Sequence, residues 1–361
     1  MRIWFDILTP KYVLFFKPLI KRLKTNGHEV LITSREYREV IELLKMKNID
    51  ALIIGKYGGE TLKGKLLASI ERMQKMIEIA EQFKPDIAIS SCSPDLSRVA
   101  FGLNIPHIAV TEGVNSKFVM RLTLPLSRLL LAPAYIPIEE WLVYGISKDR
   151  IITYKGLDAM AWLSDDFTPD SKILEKLGIK KENKKLILIR PEERFASYLQ
   201  GKTSIIKEET AHELRNFVKK RSDVLLVILP RYQEDIRILN KIYGDFSIIL
   251  NQVVDGASLL NASDIFISGG GTMSQEAALL GIPTISVYPE RYPIGEFLIS
   301  RGIIKRINVE ELPETLNEYL ENLKEVKMQA KYNAQMLKNE MENPIDVIMK
   351  AIEDKKWAKE F

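Results

Sequence analysis

Residues 268–283, which read SGGGTMSQEAALLGIP, combine residue types that suit the binding of a phosphate group. The apolar run before them predicts a buried strand. Three consecutive glycines follow, and because glycine has no Cβ atom, the backbone can turn tightly there and lie bare to a ligand. A helix is predicted next, so its free N–H groups and the positive end of its dipole would face an anion. The segment therefore predicts a phosphate site built from backbone amides.

The predicted helix starts at an N-cap, either Thr272 or Ser274, and ends where Gly281 and then Pro283 prevent its continuation. Glu276 lies one turn inside it. A carboxylate at that position repels phosphate but can accept two hydroxyl hydrogens, as from a ribose diol. The alternative is an ordinary strand-to-helix turn with a solvated Glu276, because short motifs often occur by chance.

Length and composition indicate the number of domains and the general class of protein. The 361 residues are too many for one ordinary domain and predict two. A hydrophobic content of 46% with 28% charged residues is typical of a globular protein. The net charge is only +4, with 52 basic residues against 48 acidic ones, so no nucleic-acid partner is expected. A single cysteine excludes a disulfide framework, and three dispersed histidines show no ligand spacing, so neither a metal nor another cofactor is predicted.

The expected location is the cytoplasm. The first residues lack the apolar core of a signal peptide. No stretch approaches the roughly 18 consecutive apolar residues of a membrane span.

Strand and helix patterns alternate along most of the chain, which predicts an α/β protein with parallel sheets covered on both faces. Residues 1–155 form the first predicted domain, and its first loop lacks the Gly-x-Gly-x-x-Gly of a dinucleotide-binding turn. Residues 156–185 contain no strand pattern and are the predicted linker. Residues 186–335 repeat the alternation and form the second domain. A C-terminal helical segment follows at 336–361, with a return to the first domain left open.

Two doubly wound domains, with a glycine loop and a helical Glu late in the second, resemble the GT-B fold, which is built from two Rossmann-like domains. The segment 268–283 is similar to one in the non-hydrolysing UDP-N-acetylglucosamine 2-epimerases and to one in the lipid-linked N-acetylglucosaminyltransferase of peptidoglycan synthesis. Over nearly its full length the chain resembles a GT-B-like family of unknown function, on segments 3–6, 15–20, 27–33 and 84–90 and the glycine loop. The resemblance implies that Glu276 contacts a ribose.

Loops at the carboxyl ends of the second domain's strands supply further candidates. Arg190 and Arg231 could each grip a diphosphate with a planar guanidinium group, and the alternative for both is a surface arginine. The resemblance implies that the loop after strand 284–287 approaches the sugar, against the alternative of a plain proline-containing turn. The predicted donor-binding residues are Arg190, Arg231, Gly269, Gly270, Gly271, Thr272, Ser274, Gln275, Glu276, Glu290 and Arg291.

Three carboxylates of the first domain are candidates for the general base that takes a proton from an acceptor hydroxyl, namely Asp95, Glu112 and Asp6. Asp95 has an alternative role as the cap of the helix that follows, and Asp6 has one in bracing the first loop. His107 stands at a strand start and is assigned a structural role. No Asp-x-Asp follows a strand to hold Mg²⁺ on a diphosphate, so a metal-independent reaction is predicted.

These observations predict a GT-B glycosyltransferase that uses a UDP-sugar, preferably a UDP-HexNAc, and an unidentified glycan or lipid-linked acceptor. A UDP-N-acetylglucosamine 2-epimerase-like isomerase and a non-catalytic nucleotide-sugar-binding protein are the alternatives. The epimerase hypothesis is weakened because the second domain's one histidine, His212, lies in the middle of a predicted helix. The apolar segment 118–131, which includes two arginines, leaves peripheral membrane contact open. A homodimer is also left open.

Overall fold

The computed structural model describes residues 1–59, 61–164, 167–192 and 205–354. The chain divides into two compact units. The N-terminal unit consists of Met1–Ser164 and Glu342–Phe361, and the C-terminal unit of Asp165–Met341.

The N-terminal unit is built on a parallel sheet of seven strands covered by helices. Its elements are β1 (Arg2–Ile7), α1 (Pro10–Thr25), β2 (Glu29–Glu36), α2 (Arg38–Met46), β3 (Leu52–Lys56), α3 (Leu62–Phe83), β4 (Ile87–Ser90), α4 (Pro94–Gly102), β5 (His107–Val110), α5 (Lys117–Thr123), β6 (Leu129–Pro133), α6 (Glu139–Leu142) and β7 (Ile151–Tyr154). The strand order is β3-β2-β1-β4-β5-β6-β7. It reverses between β1 and β4, where loops leave a crevice at the carboxyl edge of such sheets.

The C-terminal unit contains a second parallel sheet, of six strands in the described residues. Its elements are α7 (Ile173–Lys176), β8 (Lys185–Arg190), α8 (Glu208–Lys219), β9 (Val224–Ile228), α9 (Gln233–Tyr243), β10 (Ile248–Ile249), α10 (Gly256–Ala262), β11 (Ile265–Ser268), α11 (Thr272–Leu280), β12 (Thr284–Ser286), α12 (Pro293–Ser300), β13 (Ile304–Arg306), α13 (Leu312–Glu321) and α14 (Leu323–Glu340). The strand order is β10-β9-β8-β11-β12-β13, so this sheet reverses between β8 and β11.

Apolar side chains fill both faces of the second sheet. Ile187, Ile189 and Ile267 pack into one core cluster, whereas their strand neighbours Leu188 and Phe266 pack into the other. Near-continuous apolar strands are expected when helices cover both faces of a parallel sheet. Helix α15 (Pro344–Asp354) completes the N-terminal unit.

The predicted α/β class, with two doubly wound sheets and C-terminal helices, is confirmed. Strand β13 was not predicted, because its three residues, Ile-Lys-Arg, form no apolar run and lie at the edge of the sheet. Residues 355–361 of the predicted C-terminal segment lie outside the described residues.

Candidate functional site

The glycine loop follows β11, beside the point where the second sheet reverses its strand order. Gly270 and Gly271 have φ values of 85° and 91°, which only glycine adopts without strain. Gly271 is itself the N-cap residue of α11, so the predicted cap at Thr272 or Ser274 is wrong. The Ser274 hydroxyl instead lies buried, 2.6 Å from the hydroxyl of Ser268. Gly281 ends the helix in the left-handed conformation, as predicted.

Two amides of this loop are satisfied within the protein, which corrects the prediction of bare amides. The Gly269 N–H donates to the carbonyl oxygen of Arg190 at 2.8 Å. The Gly270 N–H donates to the Ser268 hydroxyl at 3.0 Å. Glycine is needed at both positions for packing: a Cβ atom on Gly269 would lie 2.2 Å from the backbone nitrogen of Glu192. The Ser274 N–H donates to the carbonyl oxygen of Gly271 at 3.1 Å, so helix geometry leaves the N–H groups of Thr272 and Met273 without an acceptor inside α11.

Arg231 lies against the glycine loop. Its Nε donates to the carbonyl oxygen of Pro191 at 2.7 Å, and its Nη2 donates to that of Gly270 at 2.6 Å. A Cβ atom on Gly271 would lie 3.2 Å from the guanidinium group. These contacts fix a positive charge beside the start of α11, where the helix dipole also favours an anion.

Arg190 also contacts backbone carbonyl groups. Its Nη1 donates to the carbonyl oxygen of Leu229 at 3.1 Å and to that of Pro230. Arg190 ends β8, Arg231 follows β9, and both side chains are half-buried. Their contact with a diphosphate stays a prediction.

Glu276 is 3% exposed and does not point into bulk solvent. Its Oε2 atom lies 3.8 Å from the position that a Cβ atom on Gly256 would occupy, so the carboxylate faces the start of α10. Asp255 caps α10, and its side chain accepts a hydrogen bond from the Ser258 N–H at 3.3 Å. Gln275, 2% exposed, is buried next to Glu276 in sequence.

Tyr288, in the loop after β12, lies at the candidate site and was not among the predicted residues. A Cβ atom on Gly270 would lie 2.7 Å from the Tyr288 ring, so this ring packs directly on the glycine loop. Tyr292 meets Tyr288 edge to face, with ring centroids 5.5 Å apart. Of the residues predicted here, Glu290 is half-buried and Arg291 is exposed. Tyr288 could have been singled out from the sequence, because it is the aromatic residue of the segment 286–291.

Two of the three predicted catalytic carboxylates share one buried cation in the N-terminal unit. Arg72 of α3 donates to both oxygens of Asp6, at 2.5 and 3.1 Å, and to Asp95 at 3.0 Å. Thr33 donates a further hydrogen bond to Asp6 at 2.8 Å. Asp6 is fully buried and its carboxylate accepts from Arg72 and Thr33, so it is closed to a substrate and we withdraw it as a general base. Ser93, not Asp95, caps α4.

The third carboxylate, Glu112, belongs to a different cluster. Lys11, at the start of α1, forms ion pairs with Glu112 and with Asp158, the latter at 2.6 Å. Asp158 is fully buried and accepts a hydrogen bond from the Tyr154 hydroxyl. Burial opposes the charge on Lys11, but the attraction of Asp158 and Glu112 outweighs it and raises the pKa of Lys11. The side chains of Glu112 and Lys11 are 18% and 14% exposed, whereas that of Asp158 is fully buried.

Sequence reasoning missed Arg72, Lys11 and Asp158. A signal existed for Arg72, because it falls on the same helical face as Met76 and Ala80, which are buried. Within the described part of the chain, no group of three or more His, Cys, Asp or Glu side chains is arranged to hold a metal ion. The same part contains no helix with the length and apolar character needed to cross a membrane.

Solved structures share this architecture along nearly the whole chain. UDP-GlcNAc 2-epimerase from Neisseria meningitidis, bound to UDP-GlcNAc, gives a TM-score of 0.74 at 18% identity and covers 98% of this chain and 100% of that one. Anabaena Alr3699/HepE in complex with UDP-glucose gives 0.68 at 14% identity, with the same coverage. UDP-GlcNAc 2-epimerase from Methanocaldococcus jannaschii gives 0.64 at 14% identity, with 96% of each chain covered. The likeness shows a GT-B-like fold, as the resemblance implied.

Residues 1–355 match the family described as "Protein of unknown function (DUF354)", so the chain belongs to this family. The uncharacterized protein MJ0665 of Methanocaldococcus jannaschii is 31% identical over 355 residues, which are 97% of each chain. The expected membership of a GT-B-like family of unknown function is thereby confirmed.

Proposed function

We propose that the C-terminal unit binds a UDP-sugar and that the protein is a metal-independent glycosyltransferase. The observation that carries the proposal is Glu276, which is buried one turn inside the helix that follows the glycine loop. A carboxylate held in that place suits the two hydroxyl groups of a ribose. The solved neighbours bound to UDP-GlcNAc and UDP-glucose support this ligand class.

The diphosphate in this proposal contacts the first turn of α11, not the amides of Gly269 and Gly270. Those two amides already have protein acceptors, whereas the N–H groups of Thr272 and Met273 have no partner inside the helix. Arg231, fixed beside Gly271 by two carbonyl groups, adds the positive charge. Charge developing on the leaving diphosphate would be stabilised by donors that are already in position.

In the proposed transfer, the bond from the sugar C1 to the diphosphate oxygen breaks, and its electron pair leaves with UDP. The acceptor oxygen forms the new bond to C1 and gives its proton to a general base. Glu112 and Asp95 are the remaining candidates for this base. A glycan or lipid-linked hydroxyl is the proposed acceptor.

One observation favours a second candidate function, the 2-epimerisation of a UDP-HexNAc. Full-length structural similarity extends to UDP-GlcNAc 2-epimerases from two organisms. Incubation with UDP-GlcNAc alone, followed by NMR, separates the two candidates. Formation of a C2 epimer, or release of UDP without an acceptor, favours the epimerase. Binding with no turnover of any donor, in the presence of candidate acceptors, favours a non-catalytic nucleotide-sugar-binding protein.

The ribose contact is tested by calorimetry on two ligands and two variants. Glu276→Ala should weaken UDP binding by roughly tenfold to a hundredfold, the range for losing hydrogen bonds to a charged group. It should leave the weaker binding of 2′,3′-dideoxy-UDP unchanged, because that ligand lacks the diol. Glu325→Ala, at an exposed glutamate of α14, is the matched control. Equal losses for both ligands, or no UDP binding by the unaltered protein at about 1 mM, would refute the proposal.

A further inference from the structure

Helix α3 exposes an unusual amount of apolar surface for a helix that packs on a sheet. Its inner face buries Arg72, Met76 and Ala80. Its outer face exposes a set of large apolar side chains: Leu66 (62%), Leu67 (49%), Ile70 (50%) and Ile77 (39%). Leu62, in the first turn, is also exposed (86%). Single exposed apolar residues need no explanation, but a contiguous patch commonly marks an interaction surface.

The outer face follows the spacing of a helix-pairing seam. Positions alternate by four and three residues along one exposed row: Lys63, Leu67, Ile70, Gln74, Ile77 and Glu81. This alternation is the a/d pattern by which two helices pack side by side. The row is apolar in its middle and charged at its two ends, with a single amide, Gln74, among the apolar residues. We refer to these six residues as the α3 seam.

Charge along α3 is asymmetric. Residues 61–70 contain Lys63 and Lys65 and no acidic residue. The exposed acids Glu71, Glu78 and Glu81 lie in residues 71–83, which carry one exposed base, Lys75. The positive end of the helix dipole adds to the basic half. One α3 helix is therefore complementary to a second copy that runs in the opposite direction.

We propose that the α3 seam is the contact between two copies of this chain, related by a two-fold axis near the middle of the helix. A two-fold contact pairs each surface with itself, so it needs self-complementarity, which the seam has. With the axis at the level of Arg72, Leu67 of one copy meets Ile77 of the other. In the same register, Lys63 meets Glu81 and Ile70 meets Gln74.

A second copy fits this surface better than an anionic membrane does. An interfacial helix carries basic residues along its polar face. Here Glu71, Glu78 and Glu81 border or occupy the seam and would be repelled by anionic lipid. Against a second copy in this register, Glu81 faces Lys63 of the partner. The proposal does not depend on the nucleotide site, because every residue of the seam belongs to the N-terminal unit.

Sedimentation equilibrium of the full chain, from about 1 to 100 µM, tests the contact. We expect the unaltered chain to form a dimer. In Ile70→Glu the dissociation constant of this dimer should rise by roughly a hundredfold or more, because the variant places a charge in the middle of a desolvated contact. Phe118→Glu, at a side chain of α5 that is 82% exposed, is the matched control and should leave association unchanged. Circular dichroism of both variants should match that of the unaltered chain.

Charge reversal distinguishes this arrangement from other contacts through α3. Lys63→Glu and Glu81→Lys should each weaken the dimer by roughly threefold to tenfold, since each places like charges opposite one another twice. The double variant restores opposite charges and should recover the original constant, and high salt should reduce all three differences.

A chain that is monomeric at about 100 µM, or association unaffected by Ile70→Glu, would overturn the proposal. So would a failure of the double variant to recover. Co-flotation of the monomer with phosphatidylglycerol vesicles, lost in Ile70→Glu, would assign the seam to a membrane surface instead.

Discussion

Removal of the Arg72 guanidinium group should leave two carboxylates in the interior of the N-terminal unit without their compensating cation. The side chains of Arg72 and Asp6 are 2% and 0% exposed, and that of Asp95 is 12% exposed. In Arg72→Met the methionine fills similar space but donates no hydrogen bond. Loss of one partner of a buried ion pair costs about 3–5 kcal/mol, because the other charge remains buried without compensation. We expect a free energy of unfolding lower by about 4 kcal/mol for this unit.

A loss of about 4 kcal/mol corresponds to a fall in Tm of roughly 8–16 °C for a unit of this size. The comparison is made at pH ~7.5, well above the ordinary titration range of aspartate.

Tryptophan fluorescence is a suitable assay, because Trp4, Trp141 and Trp162 belong to the N-terminal unit and the sequence of the C-terminal unit contains no tryptophan. Trp4 also reports locally, since its Nε1 donates to Thr33, which in turn donates to Asp6. Thermal and urea unfolding would be measured on the unaltered chain and the variant.

Two further variants complete this test. The triple variant Arg72→Met, Asp6→Asn, Asp95→Asn removes all three charges and should recover much of the loss. Arg98→Met, at an exposed arginine of α4, should change stability by less than about 0.5 kcal/mol. A cost below about 1 kcal/mol for Arg72→Met, or a triple variant no more stable than the single one, would refute the assignment of Arg72 as the compensating cation.

Three other changes have predicted outcomes. Gly270→Ala should destabilise the C-terminal unit by about 1–3 kcal/mol in urea titrations, because its φ is 85° and the new methyl group would lie 2.7 Å from the Tyr288 ring; a neutral result would contradict that packing. Burial lowers the pKa of His107 to about 3, so the native state keeps it neutral while the unfolded chain protonates below pH ~6.5. Stability relative to His107→Gln should therefore fall by about 1.4 kcal/mol per pH unit between pH 6 and 4, and parallel pH profiles would rule this out. Lys11→Met should cost about 3–5 kcal/mol in thermal unfolding, with partial recovery on adding Asp158→Asn; an unchanged Tm would show that Lys11 does not compensate Asp158.

Apolar patterning predicted most of the fold. Strands such as Ile265–Ser268 are short, apolar and bounded by turn residues, so the residues alone mark them. Strand β13 was not predicted because Lys305 and Arg306 give it no apolar pattern. Its extended conformation comes from its pairing with β12. Tertiary pairing of this kind leaves no local signal.

The candidate site was predicted less completely. Position along the chain identified the glycine loop and Glu276, because a strand end and a helix start fix where they lie. It could not show that the Gly269 and Gly270 amides are already satisfied, since their acceptors are Arg190 and a side chain folded back from Ser268. Likewise, Asp6 and Glu112 resemble each other at strand ends, yet one is enclosed by Arg72 and the other faces Lys11. Only the packing of distant elements distinguishes them.

The return of α15 has a consequence for any attempt to study the N-terminal unit in isolation. Ile345, Ile348 and Ile352 are buried, and Arg22 of α1 forms an ion pair with Asp346. A fragment cut after residue 164 would lack this helix and would present the apolar surface that it covers. A usable fragment would join residue 164 to residue 342 through a short designed connection, or would be co-expressed with the C-terminal peptide. Successful purification of the truncated fragment as a folded monomer would show that α15 is dispensable.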